Sequence, residues 1–220
     1  MSAASILIPP EVEYPEDNGE PLSDNTLQFR WIMTIQGGLD ALFAQNPNVF
    51  VAGDLLWYPV EGDNKVRQAP DVMVALGRPK GDRGSYRQWV EEGIPPQVVF
   101  EILSPGNRTG EMDRKFAFYE HYGVEEYYLF DPDHKELSGY LRSGERLLKI
   151  PAMHGWKSPR LGVRFDLGGP ELRILLPDGK PLSAYVELAQ ELQQERERAR
   201  QERERLEAKL RAAGIDPDAD

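Results

Sequence analysis

The stretch "PQVVFEIL", from Pro96 to Leu103, constrains the fold of this chain more than any other segment. Its apolar residues follow one another without alternating polar positions, a pattern typical of a β-strand that is covered on both faces. Such strands lie in the centre of α/β sheets that carry helices on both sides. Glu101 interrupts the run, and an ionised carboxylate in apolar surroundings is strongly unfavourable unless something pairs with it. We therefore expect Glu101 to have a cation, a hydrogen-bonded partner or a proton.

Composition predicts one globular domain with an appendage. The chain has 220 residues, of which 40% are hydrophobic and 29% charged, and it has no cysteine, which excludes disulfide scaffolds and thiolate metal sites. The N-terminus has no basic region followed by an apolar core, and no apolar run approaches the roughly 18 residues that span a bilayer. We therefore expect a cytoplasmic protein with no membrane partner.

The net charge of −11 is concentrated at the two ends of the chain. The first 29 residues contain six acids and no base, and residues 187–220 contain ten acids and seven bases. A charge this negative argues against a protein that coats nucleic acid non-specifically. The middle of the chain carries only −2, so it can still present a local basic surface.

Sequence patterning divides the chain into three segments. Residues 1–20 are rich in Pro and Glu and predict a flexible arm, residues 21–180 predict an α/β domain, and residues 181–220 predict a charged helix. The elements predicted for the domain are, in chain order, a helix capped by Ser23 or Asp24, strands at 49–58 and 69–76, a polar loop at 77–96, a strand at 97–103, a helix at 111–123, a strand at 125–131, and short antiparallel additions to the sheet at 137–142, 146–150, 163–167 and 171–176.

The C-terminal segment is made of strong helix formers that end at Gly214. Leucines give it a thin apolar seam, which Glu195 and Glu202 interrupt at heptad positions, so the coiled-coil pattern is weak. Two interpretations stay open. The helix is either solvated and laced with Glu–Arg pairs, or it assembles the chain into a homodimer or another homo-oligomer.

Three acids fall on neighbouring predicted strands. Asp71 follows Pro70 near a strand end, because proline belongs at the start or edge of a strand. If its strand is next to that of Glu101, the two carboxylates lie side by side and need a divalent cation or a shared proton. Oxygen ligands of this kind suit Mg²⁺ or Mn²⁺ and not zinc. Asp54 is either a third member of this site or a polar group at a β-bulge beside Gly53.

The helix after Glu101 supplies a lysine to the same region. Glu111 and Lys115 are four residues apart, so they share a helix face, and the tight turn "SPGNRTG" folds that helix back towards the strand. An ammonium group there can polarise a phosphate or orient an attacking water, while a metal ion lowers the pKa of that water. Two acids, a lysine and a divalent cation form a set that hydrolyses phosphodiesters.

The segments "PDV", "VVFEILSP" and "DRKFAFYEHYGVEEYYLFDP" resemble the Uma-type family of putative restriction endonucleases, within the PD-(D/E)XK nuclease superfamily. The similarity extends from about Pro21 to Pro177. It implies an α/β fold with a restriction-endonuclease-like mixed sheet, an αβββαβ core, and added antiparallel strands before the long C-terminal helix. It also implies Mg²⁺-dependent cleavage of DNA, with Asp71 as the first acid and Glu101 as the second.

The chain departs from the superfamily pattern at the lysine. The position two residues after Glu101, where that pattern has lysine, is Leu103. In the Uma-type branch the lysine lies on the following helix, and Lys115 is the matching position. That branch has an aspartate four residues before the lysine, where this chain has Glu111 as a further candidate metal ligand.

Other interpretations of these residues stay open. Glu101 can be a structural acid paired with Lys115 or Arg114, and Asp71 can be a turn former after proline. The chain as a whole can be a non-catalytic binding or scaffold module that assembles through its C-terminal helix, or, less well supported, a glycoside hydrolase using two carboxylates. The loop at 77–96 interleaves aromatic residues with bases that suit a DNA backbone, or it is an ordinary solvated loop; these bases are Arg78, Lys80, Arg83 and Arg87.

Overall fold

The computed structural model describes residues 12–17, 19, 21–106, 109–182 and 185–212, which form a mixed α/β structure. Its helices are α1 (Thr26–Leu42), α2 (Thr109–His121) and α3 (Tyr185–Ala212). Its strands are β1 (Val49–Gly53), β2 (Trp57–Tyr58), β3 (Val72–Leu76), β4 (Tyr86–Arg87), β5 (Val98–Ile102), β6 (Glu126–Asp131), β7 (Glu136–Ser143), β8 (Arg146–Lys149), β9 (Arg164–Asp166) and β10 (Arg173–Leu175). The chain divides into two compact units, one ending at Leu182 and the other beginning at Ser183.

The first unit is built on a six-stranded sheet in the order β1-β3-β5-β6-β7-β8. Strands β5 and β6 run parallel, and every other pair of neighbours in this sheet is antiparallel. A parallel pair cannot be joined by a tight turn and needs a crossover connection, which α2 provides. The predicted order of helix, strands, helix and strand is therefore confirmed.

Both faces of the sheet are covered. Phe100 and Ile102 of β5 belong to one apolar cluster with residues of α1, whereas Val99 belongs to a second cluster with Tyr119 of α2 and Tyr127 of β6. All five residues of β5 are buried, Glu101 included. The expectation that this strand is covered on both sides is confirmed, and Glu101 points to the α2 side because side chains alternate along a strand.

Helix α1 begins one residue later than the sequence predicts. The side chain of Asn25 accepts hydrogen bonds from the backbone N–H groups of Leu27 and Gln28, both at 2.9 Å. The prediction of Ser23 or Asp24 as the cap is therefore wrong. The Gly37-Gly38 pair does not interrupt the helix, and Leu182 packs so closely over Gly38 that a β-carbon there would clash with it.

Two strand predictions are also corrected. The predicted strand 49–58 is broken after Gly53, because Asp54 has the left-handed φ of 48° and leaves the ladder before β2 begins. The segments 163–167 and 171–176 form a separate two-stranded sheet, β9 with β10, instead of extending the main one. Phe165 of β9 and Ile174 of β10 are buried in the apolar cluster on the α1 side of the sheet, so this two-stranded sheet packs on that side.

The described part of the N-terminal arm belongs to the first unit and packs against other segments of it. The ring of Tyr14 packs against the rings of Tyr58 and Trp89, with centroid distances of 5.2 and 4.9 Å. The hydroxyl of Tyr58 donates to the carbonyl of Pro15 at 2.7 Å. Residues 12–17 therefore lie against the segments that follow β1 and β4.

The second unit consists of α3, whose described side chains are mostly charged and exposed. Arg203 pairs with Glu207 at 2.8 Å and Arg200 with Glu197 at 2.9 Å, spacings that place the partners on one helix face. The predicted stop at Gly214 lies outside the described residues. Among the described residues, no helix combines the length and apolar character needed to cross a membrane.

Candidate active site

Asp71 and Glu101 come from adjoining strands and face the same side of the sheet. The β3–β5 ladder pairs Val72 with Phe100, and the same register carried one pair further sets Asp71 opposite Glu101. Asp71 Oδ2 also accepts a hydrogen bond of 2.6 Å from the backbone N–H of Ile102. The predicted proximity of the two acids is therefore present at this end of the sheet.

Helix α2 supplies the partners that the buried carboxylate of Glu101 requires. The Nζ atom of Lys115 lies 2.7 Å from Glu101 Oε2, and the hydroxyl of Tyr119 donates to Glu101 Oε1. Lys115 and Tyr119 are four residues apart, so they project from successive turns of one helix face. Only 2% of the Glu101 side chain is exposed, so its carboxylate depends on these two donors more than on solvent.

The site holds one more acid than base, and its pKa values reflect this. Burial raises the pKa of Asp71 well above its usual range, and the charge of Glu101 raises it further. Burial also raises the pKa of Glu101, although Lys115 and Tyr119 oppose that effect. Burial alone would lower the pKa of Lys115, but Glu101 and Asp71 together hold it above the usual value. A second positive charge or a proton would relieve the excess negative charge.

The oxygen donors fit a hard divalent cation with an incomplete protein shell. Mg²⁺ commonly keeps several waters and binds one or two carboxylates together with substrate phosphate, and Asp71 and Glu101 are donors of this kind. Within the described residues, no three His, Cys, Asp or Glu side chains form a group that could hold a metal ion by themselves. The structure therefore brings together two of the four predicted metal ligands.

Asp54 and Glu111 lie at the margin of this pair. The backbone N–H of Asp54 donates to the carbonyl of Asp71 at 3.2 Å, and the Asp54 charge adds slightly to the raised pKa of Asp71. Glu111 is in the first turn of α2, where its charge acts on Glu101 and Lys115. Neither joins a three-acid group, and their role as metal ligands stays a prediction.

The bases of the loop at 77–96 mostly have acidic partners. Arg78 and Arg83 both bind Glu91, at 3.0 and 2.6 Å, and Arg83 also lies over the ring of Phe50. Burial by itself would raise the pKa of Glu91, but its hydrogen bonds with Arg83 and Arg78 hold that pKa below the usual value.

The other two predicted bases differ from this pair. Lys80 pairs with Asp40 of α1 at 2.7 Å, whereas Arg87 is exposed on β4. Arg78 and Arg83 are paired and little exposed, at 9% and 13%, which gives them a structural role. Lys80 is paired but 31% exposed, so Lys80 and Arg87 are the more accessible of the four. Contact of these bases with nucleic acid stays a prediction.

Two residues that contact the strand of Glu101, Tyr119 and Gln28, were not predicted from the sequence. Tyr119 follows Lys115 by one helical turn and so shares its helix face, but a tyrosine at a core position is ordinary and does not by itself indicate a donor to Glu101. Gln28 is buried on α1, and its Nε2 atom donates to the carbonyl of Ile102 at 2.8 Å. Gln28 carries no local signal either, because its contact joins residues 74 positions apart.

Comparison with known proteins decides the family. The model of the family described as Uma2, putative restriction endonuclease, matches residues 12–167. The chain belongs to the Uma2 family. The Uma-type resemblance drawn from the strand of Glu101 and the helix of Lys115 is therefore confirmed.

This Uma2 chain is also similar to a protein of known structure. The crystal structure of a putative nuclease belonging to DUF820 from Anabaena variabilis ATCC 29413 has 16% sequence identity and a TM-score of 0.47. The alignment covers 68% of the Uma2 chain and 83% of that nuclease chain. No curated protein matches the Uma2 chain.

Proposed function

We propose that this chain is a metal-dependent endonuclease that hydrolyses DNA phosphodiester bonds. The observation that carries the proposal is the arrangement of Asp71 and Glu101 at adjoining strand ends on one face, with the Lys115 ammonium 2.7 Å from Glu101. Membership of a family described as putative restriction endonucleases supports DNA as the substrate.

The residues divide the chemistry between them. Asp71 and Glu101 would hold Mg²⁺ or Mn²⁺, which when bound lowers the pKa of a water and offsets the charge of the phosphate. Hydrolysis adds a water oxygen to phosphorus, breaks one P–O ester bond and places a proton on the departing oxygen. Lys115 donates one N–H to Glu101. Its other N–H groups would stabilise an oxygen that gains negative charge during the reaction.

Cleavage of supercoiled plasmid in the presence of Mg²⁺ or Mn²⁺ tests the proposal. We expect Asp71→Asn and Lys115→Met each to lower the cleavage rate by about 100-fold or more, because Asp71→Asn removes a charged metal ligand and Lys115→Met removes a positive charge beside the reacting phosphate. Glu92→Gln is the control, since its side chain is 75% exposed and lies on the loop that follows β4. Cleavage by Asp71→Asn at the wild-type rate would contradict the proposal.

A non-catalytic nuclease-fold module for binding or scaffolding is the second candidate function. It is favoured by the fact that both oxygens of Glu101 already have protein partners, Lys115 and Tyr119. Calorimetry with Mn²⁺ separates the two. Heat of binding that disappears in Asp71→Ala supports the nuclease, and no binding at millimolar Mn²⁺ supports the module.

We also propose that the chain is a homo-oligomer that assembles through α3. Leu206 and Leu210 lie one helical turn apart on that helix, and both are exposed. Exposed leucines at this spacing suit a helix partner, such as α3 of a second copy.

A further inference from the structure

Two residues on consecutive turns of α2, Lys115 and Tyr119, donate hydrogen bonds to Glu101. The Tyr119 contact is not an ion pair, so charge neutralisation does not explain it. Lys115 neutralises Glu101 at Oε2, whereas Tyr119 is a neutral donor at Oε1. The Tyr119 side chain is completely buried, so its hydroxyl can reach neither solvent nor a DNA phosphate. Any effect of Tyr119 on a substrate or a metal ion must therefore pass through Glu101.

The ring of Tyr119 packs against two aromatic neighbours. It is parallel to the ring of Trp57, with centroids 6.4 Å apart, and tilted against the ring of Tyr127 at 5.3 Å. Since the ring cannot turn without displacing Trp57 or Tyr127, its hydroxyl has a defined position. A donor in a defined position fixes the carboxylate that it binds.

Two donors on two different oxygens prevent rotation of the Glu101 carboxylate about its last bond. Each carboxylate oxygen has two lone pairs, so Lys115 and Tyr119 leave one lone pair on each oxygen. The remaining lone pairs are held in one orientation beside Asp71, which lies opposite Glu101 in the β3–β5 register. Outer partners that orient a ligand in this way determine how strongly a site binds its metal.

We propose that Tyr119 is a positioning residue that fixes the carboxylate of Glu101 so that it binds a divalent cation together with Asp71. This inference rests on the proposed function. Tyr119 does not touch the cation, the water or the phosphate, and its contribution is the orientation of Glu101.

Two neighbouring tyrosines provide matched controls. Tyr127 adjoins Tyr119 and is buried, but its hydroxyl has no hydrogen-bond partner among the described residues. Tyr128 donates to a different buried acid, Glu126, at 2.8 Å, so Tyr128→Phe loses the same kind of bond away from the site. Tyr119→Phe keeps the ring that packs against Trp57 and removes only the donor.

The experiment titrates each protein with Mn²⁺ and follows free Mn²⁺ by electron paramagnetic resonance, with the thermal midpoint recorded alongside. We expect Tyr119→Phe to raise the Mn²⁺ dissociation constant by about 10- to 100-fold, the usual effect of losing a partner of a metal ligand. Tyr127→Phe and Tyr128→Phe are expected to stay close to wild type in Mn²⁺ affinity, although Tyr128→Phe lowers the thermal midpoint.

The outcomes separate this inference from the proposed function. Wild-type protein that binds no Mn²⁺, or Asp71→Ala that binds it as wild type does, overturns the proposed function and this inference with it. Asp71-dependent binding that Tyr119→Phe leaves unchanged, or that Tyr128→Phe weakens equally, overturns the inference alone.

Discussion

Glu101 shows how a single residue can oppose the preference of its strand and still be accommodated. Its carboxylate is almost completely buried in a strand of Val, Phe and Ile, where an unpaired charge would not be tolerated. Lys115 and Tyr119 supply an ion pair and a hydrogen bond at its two oxygens. A buried pair of this kind adds little net stability, but removal of one partner is costly because the other charge remains buried.

The first prediction concerns the contribution of the Glu101–Lys115 pair to the free energy of unfolding. Lys115→Met leaves the Glu101 carboxylate buried without its cation, and we expect the free energy of unfolding to fall by about 3 kcal/mol. Adding Glu101→Gln removes the stranded charge, so the double variant should recover most of that loss. Urea unfolding of the wild type, both single variants and the double variant measures the coupling. A double variant whose loss of stability equals the sum of the losses in the two single variants would show that the two side chains do not interact energetically.

Individual residues also show what sequence can and cannot predict about the site. Glu101 and Lys115 are predictable, because a charge inside an apolar run and a lysine at helical spacing are local patterns. Tyr119 is not distinguished from the apolar residues of its helix face, since a tyrosine at a core position is ordinary. Its role depends on the height of α2 above β5, which no local pattern encodes.

At the scale of elements, the loop between β3 and β5 is held by one acid. Glu91 receives Arg78 and Arg83, and its side chain is only 10% exposed. The sequence predicts a polar loop here, and the structure adds the short strand β4 and this ion cluster. The cluster could not be predicted because its members are 8 and 13 positions apart in irregular chain, where no periodicity relates them.

The Glu91 cluster makes the second prediction. Glu91→Gln removes the acidic partner of Arg83 and leaves Arg78 with only the exposed Glu92, so we expect a loss of about 3 kcal/mol together with faster hydrogen exchange in residues 77–96. Glu92→Gln is the control, because Glu92 also binds Arg78, at 3.0 Å, but is 75% exposed. An exposed pair contributes up to about 1 kcal/mol. Similar exchange rates in both variants would contradict the structural role assigned to Glu91.

At the scale of the whole molecule, the core and the candidate site both lie in the first unit. The apolar clusters, Asp71, Glu101 and Lys115 all precede Leu182, and α3 contributes charged, exposed side chains. Leu182 is the last residue of that unit, and it contacts both a strand and a helix. Its backbone N–H donates to the carbonyl of Ile174 at 2.7 Å and its side chain lies over Gly38.

This division makes the third prediction, which uses two truncated chains. A chain ending at Ala184 should keep the thermal midpoint of the full protein and sediment as a monomer, because it retains the core and lacks α3. A chain ending at Gly179 also loses Leu182, and we expect it to be less stable by about 2 kcal/mol. Thermal unfolding and sedimentation velocity measure both effects. Equal stability of the two short chains would contradict the role of Leu182, and an oligomeric Ala184 chain would contradict assembly through α3.

The order of the core helices and strands was predictable from the sequence, but the position of the added strands was not. The order α1, β1, β3, β5, α2, β6 follows from hydrophobic patterning and from the need to cover β5 on both faces, whereas the short strands β2 and β4 were not predicted as separate strands. The separate β9–β10 sheet was not predictable, because short amphipathic strands can extend a sheet edge or fold onto its face. The burial of Phe165 and Ile174 against the α1 side decides between these options, and that contact is long-range.

The parallel pairing of β5 with β6 has a consequence for how such a site can vary. The connection between these strands must pass over the sheet, and here it passes over the face that carries Glu101. A cationic side chain can therefore approach the same acid either from the strand itself or from the overlying crossover. In this chain the approach is from the crossover, since Lys115 of α2 lies 2.7 Å from Glu101 and position 103 is Leu.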